Sequence, residues 1–227
     1  MKKMTFKTIV MATIVVAGFS FTSCEKDDDN PNGKITLKVN TTSSSSVNLK
    51  STAAANDLVF NSGTITIREV VFDGEVGTTS VSRTKEQIAD IDYATGAVSP
   101  EIVIEVPAGN YTGVNLGIEL QDDGSDPSVV IEGTFTNSSE EIIPIRFEFN
   151  SGEVFEANAA SVTIADGADL VGKITFDAIS WFSTVTPGEL DNATLTEGTI
   201  IVSSTKNPDI FDKVADKLDV DTQAIFE

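Results

Sequence analysis

The chain has no histidine, one cysteine and one tryptophan in 227 residues. Each scarcity excludes something. Without histidine there is no Ser-His-Asp or Cys-His catalytic arrangement and no histidine-ligated zinc. With a single cysteine no intrachain disulfide can form, so stability has to come from a buried core, which a chain of this length can supply. Cations are scarce too: 15 Lys and Arg stand against 35 Asp and Glu, a net charge of −20. Such a surface repels phosphate backbones and anionic lipid, so nucleic acid is not an expected partner. Helical periodicity is absent until near the C-terminus.

The lone cysteine, Cys24, is placed informatively. Lys2, Lys3 and Lys7 give a positive start, Ile9 to Phe21 is apolar, and Thr22-Ser23 are small. The apolar stretch is about 13 residues, short of the ~20 that a bilayer-spanning helix needs. Residues 1–23 therefore read as a secretory leader, outside the fold. Phe21-Thr22-Ser23-Cys24 resembles a bacterial lipobox, which implies that Cys24 becomes the acylated first residue of a lipoprotein carrying palmitate-type chains. Two or more such chains anchor stably where one does not. Glu25-Lys26-Asp27-Asp28-Asp29 follows. It resembles the Bacteroidetes-type export signal for outer-membrane lipoproteins, which implies an outer-membrane protein facing the cell exterior. Charge repulsion alone also makes such a run an acidic tether. Residues 24–33 are the lipidated tether, and residues 25 to 33 reach roughly 30 Å when extended. Three of the 15 basic residues lie in the leader and no acid does, so the remainder carries 12 basic and 35 acidic residues, net −23.

From residue 34 onward the pattern has period two and is rich in β-branched residues. Ile35, Leu37 and Val39 alternate with polar neighbours, as do Val114, Leu116, Ile118 and Leu120. Ile65 and Ile67 share one parity and Val70 and Phe72 the other, a slip at Arg68-Glu69 that predicts a β-bulge or bend. Pro144, inside Ile143–Phe149, argues for an edge or a bulge. About ten strands result, separated by turn signals such as Asp73-Gly74 and Pro187-Gly188, and Ile174–Trp181 reads as one of them. Thr41–Ala55 reads as a long loop. Asn207-Pro208-Asp209 starts a short helix over 208–218, with Phe211, Val214 and Leu218 on one face. The fold expected for 34–227 is all-β, an antiparallel β-sandwich with one short C-terminal helix.

Three stretches carry a wider resemblance: Gly63-Thr-Ile-Thr-Ile-Arg-Glu-Val-Val-Phe72, Val106-Pro-Ala-Gly-Asn-Tyr-Thr112, and the helix from Asn207 to Leu218. With them the chain resembles a family of uncharacterised bacterial lipoprotein β-sandwich domains, similar in architecture to transthyretin-like and immunoglobulin-like modules. The resemblance implies a fold, and a fold does not license a function.

Motifs for chemistry are thin. Gly167–Lys173 nearly spells a phosphate-binding loop, but Ile174 stands where a hydroxyl must bind magnesium, and a strand follows instead of a helix. Ser203-Ser-Thr-Lys206 spells an acylating Ser-x-x-Lys pair, yet it follows a strand and no Lys-Thr-Gly exists. Carboxylate-pair chemistry survives the exclusions, but 35 acids make some pair inevitable. Asp122, Asp123 and Asp126, around Gly124, are the calcium candidates, since calcium takes six to eight oxygens. A solvated hairpin turn explains them equally. Trp181 and Tyr93 are the candidate platforms for a sugar ring, although burial in the core explains Trp181 too. Tyr111, after the Pro107–Asn110 turn, reads as a corner residue. The chain is therefore expected to be a non-catalytic surface lipoprotein that docks a partner protein through a sheet edge or loops. The alternative is a glycan- or ligand-capturing lipoprotein that serves an outer-membrane importer. Fimbria-like assembly needs a strand that can be released. Residues 34–39 are the candidate, and their lipid tether opposes release.

Overall fold

The computed structural model describes residues 31–42, 57–122, 124–218 and 224–227. Cys24, its leader, residues 24–30 of the tether, most of the 41–55 loop, and Asp123 lie outside the described residues, and the last tether residues, Asn32 and Gly33, already belong to the first strand. The described chain is all-β with sandwich layering. One sheet has the order β13-β10-β1-β5, where β1 is Asn32–Thr41, β5 Val103–Pro107, β10 Asp169–Phe176 and β13 Ala224–Phe226. The other is built on the 19-residue strand β2, Leu58–Val76.

β2 explains the shape. Along one edge it pairs with β3, Thr79–Asp92, which closes on β4, Val98–Ser99. Along its other edge it changes partner part-way. Leu58 to Ile65 pair with β7, Val129–Thr136, and Ile67 to Glu75 pair with β6, Gly109–Leu120. The sheet thus forks. The β7 branch continues through β8 (Ile142–Phe149), β12 (Thr199–Val202) and β11 (Leu195–Thr196), and the β6 branch ends on β9, Val154–Ile164. The fork sits where the register slips between Ile67 and Glu69 against both β3 and β6. This is the parity change read from the sequence. An extra residue at Arg68 moves Val70 and Phe72 onto the core face that Ile65 and Ile67 occupy, and all four are fully buried.

The second layer differs at the two ends. Over the β6 branch it is the four-stranded sheet. Over the β7 branch it is three helices: α1 (Ala178–Trp181), α2 (Pro187–Asp191) and α3 (Pro208–Ala215). Two of these correct the expectation of a single helix. Ile174–Trp181 stops being a strand at Phe176 because the Asp177 carboxylate accepts the N–H groups of Ile179 and Ser180 and caps α1. At α2 the Thr186-Pro-Gly-Glu189 spacing is half a capping box: the Glu189 carboxylate accepts the Thr186 N–H and hydroxyl. The expected helix over 208–218 is α3 for its first eight residues, and Leu218 is buried in the turn beyond it. The sandwich is also mixed, not wholly antiparallel: β1 runs parallel to β10, and β12 parallel to β8. Both are crossover pairs joining distant segments, which strand alternation alone does not orient.

One contiguous core runs between the layers. Its aromatic centre is Trp181, with Phe147, Phe155 and Phe176 at ring-centroid distances of 6.4, 6.3 and 6.2 Å. Each such pair adds about 0.5–1.5 kcal/mol beyond area burial.

Candidate functional site

Trp181 and Tyr93 are not platforms. Both rings are 0 % exposed. Trp181, the last residue of α1, is the residue that the two branches and β10 close upon, and its indole N–H has no acceptor among the described residues. Tyr93 is held by its hydroxyl, which donates to the Thr42 carbonyl (3.1 Å) and accepts from the Ala178 N–H (3.2 Å). Burial pushes its pKa up from 10.0 to about 12, against the lowering effect of the Ala178 N–H, and Asp177 nearby adds to the rise. Neither face can stack on a sugar ring without unfolding its surroundings. The third aromatic, Tyr111, is the corner residue expected: its hydroxyl donates to the Pro107 carbonyl four residues back, at 2.7 Å.

Of the calcium candidates, Asp122 and Asp126 are described, and they are not gathered with a third acidic side chain among the described residues. The Asp122 carboxylate faces the Arg68 guanidinium at 3.0 Å, and Arg68 also grips Glu119 on β6. Asp126 is exposed, and no group of three or more acidic side chains placed to hold an ion occurs among the described residues. A cation at Asp122 has to displace an ion pair already made.

The two enzyme-like spellings have structural roles. Gly167 lies in a turn with φ 65° and feeds strand β10, with no helix to present its N–H groups to a phosphate. The Ser203 hydroxyl accepts the Lys206 N–H at 3.1 Å and bridges a tight turn ahead of α3.

Two of the surface grooves on the β7 branch flank its helices and its outer sheet face. One, of about 380 Å³, lies between α2 and the start of α3 and is lined by Glu189, Asn192, Thr194, Asn207 and Asp209. The other, of about 470 Å³, lies on the outer face of the sheet around Ser62, Glu132, Arg146 and Glu197. The second is mainly polar and the first mixes polar groups with Ala193, Pro208 and Ile210, whereas small-molecule sites are mostly apolar concavities. The one cation in the second groove, Arg146, is shared between Glu132 (3.0 Å) and Glu148 (2.6 Å).

A different feature was missed by sequence reasoning. Strand β3 is an outer strand: beyond the β4 pairing at Asp90 and Ile91, no strand among the described residues covers Thr79 to Ala89. Its register sets Arg83 opposite Phe72 and Lys85 opposite Val70. Directly opposed residues share a face, so both cations lie on the core face at the rim of the sandwich. Arg83 folds its guanidinium onto the Ser82 carbonyl at 2.8 Å, on its own strand. Neither cation has a carboxylate partner among the described residues, unlike Lys38, Arg68, Arg146, Lys173 and Lys213. Beside β3 runs β5, the outer strand of the other sheet, and Gln87 on β3 donates to the Glu101 carbonyl across the gap at 3.0 Å.

No known family, curated protein or solved structure matches this chain. Its function therefore has to be argued from its own residues.

Proposed function

We propose that the protein is a non-catalytic lipoprotein of the outer membrane, anchored through Cys24 and facing the cell exterior, whose β-sandwich body docks a partner protein. The observation that carries the reading is the juxtaposition around Cys24: a basic and apolar leader, small residues, one cysteine, then an acidic run. Support for docking comes from the uncovered edge of β3. The first described residue, Pro31, is fastened to the β5–β6 corner by the Ala108 N–H (2.7 Å), so the tether meets the body at the end where the two sheets overlap. The β7 branch and its helices stand at the other end of the body. The glycan-capture alternative loses its candidate residues, since Trp181 and Tyr93 are core. A likeness in architecture to transthyretin-like and immunoglobulin-like modules remains part of this proposal.

Metabolic labelling of cells with an alkyne palmitate analogue tests the anchor. The native chain is expected to take the label and Cys24→Ser to lose it. External protease on intact cells is expected to shave the body. Equal labelling of both chains, or a body protected until the outer membrane is broken, overturns the reading.

A further inference from the structure

We infer that the free edge of β3 is a strand-addition site for an extended peptide segment carrying two carboxylates at alternate positions. This deepens the docking reading above and rests on it. Between Thr79 and Ala89 the strand has one partner, β2, so every second N–H and C=O on its other side faces away from the sheet. Such a row pairs readily with another chain. What selects the partner is charge. In a chain of net −20, Arg83 and Lys85 are two residues apart, on one face, and in no ion pair among the described residues. A strand added in register brings its own alternate side chains opposite theirs. Aspartate or glutamate at two alternate positions would neutralise both cations. The same geometry disfavours a second copy of this chain: antiparallel β3-to-β3 pairing centred on Thr84 would set Arg83 opposite Lys85 of the copy, and like charges directly opposed are destabilising. The other long edge, β9, offers no such selection. It carries one charged residue, Glu156, and β13 closes the second sheet beside it.

A bead-displayed library of random nonapeptides, probed with the full-length protein in detergent, tests the inference. Retained peptides are expected to be enriched in Asp and Glu spaced two apart. The charge-swapped variant Arg83→Glu/Lys85→Glu is expected to keep the native melting curve and to retain Lys- and Arg-bearing peptides instead. Backbone N-methylation of a retained acidic peptide is expected to weaken it about tenfold or more, because ion pairs at an exposed rim contribute little and the ladder carries the rest. No enrichment, enrichment unaltered by the swap, or full binding by the N-methylated peptide overturns it. So does a concentration-dependent dimer of the native chain that the swap abolishes, which would give the edge to a second copy. If the swapped variant fails to fold, Arg83→Ser/Lys85→Ser should simply lose the acidic preference. Loss of the Cys24 label would remove the surface assignment without touching these outcomes, so the two failures are distinguishable.

Discussion

Tyr93 shows how one side chain can look like a binding residue and be a structural one. From the sequence it is an aromatic beside Asp90 and Asp92, in an expected loop before Pro100. In the fold its hydroxyl joins the end of β1, through the Thr42 carbonyl, to the start of α1, through the Ala178 N–H. Tyr93→Phe leaves a buried donor and a buried acceptor without that partner, and a loss of about 2 kcal/mol is expected in urea unfolding at pH 7. Its pKa is raised by burial, so the folded state keeps a proton that the unfolded chain gives up. The native protein should therefore lose stability as pH rises from 10 toward 12, and the Phe variant should lose the Tyr93 share of that slope. Trp181 follows the same logic: with Phe147, Phe155 and Phe176 around it, the site is filled by the chain itself. Nothing in the identity of an aromatic residue tells burial from display. That depends on which elements close over it.

Helix α2 is held at its first turn by one acid. Glu189 accepts from Thr186 and pairs with Lys213 on α3, so it fastens two helices together. The Lys213 ammonium first, and the Thr186 N–H and hydroxyl after it, pull its carboxyl from 4.5 down to about 2. A depressed carboxylate contributes stability that is present above the unfolded value and is lost as pH falls through the folded one. Glu189→Gln should cost about 1 kcal/mol at pH 7, as expected for a partly exposed pair and cap. The gap between variant and native unfolding midpoints should close between pH 4.5 and 2. A gap that persists at pH 2 removes the assignment. The Thr-x-x-Glu spacing that builds this cap was legible in the chain, but Pro187-Gly188 reads first as a turn. Strand β3 was obscured for a different reason. Apart from Val81, its Thr79–Gln87 portion is polar on both faces because it forms the sandwich rim, so sustained hydrophobic alternation begins only at Ala89 and Ile91.

At the scale of the whole molecule the charge dominates. A body of net −20 attracts cations diffusely, yet diffuse attraction is not a site. Asp122 is already engaged by Arg68. Millimolar calcium at constant ionic strength is therefore expected to leave the melting temperature unchanged. A rise that Asp123→Ala abolishes would instead establish the 122–126 turn as a calcium site. The division of the second layer, a sheet over one branch and helices over the other, is also a property of the whole. It arises because β2 outruns any one partner: with 19 residues it needs β7 for its first half and β6 for its second.

Period-two alternation by itself determined that the chain is sheet-built, where most strands lie, and that β2 bends near Arg68, because burial on one face of a pleated strand imposes that alternation locally. Local cap chemistry likewise marked α3. Strand order, the two parallel pairs, the fork in the sheet and the burial of Trp181 and Tyr93 were decided only by tertiary structure, since each depends on which distant segment arrives alongside. The cations on β3 belong to the second group. Arg83 and Lys85 are two ordinary residues until the register sets them opposite Phe72 and Val70 on an edge that no other described strand covers.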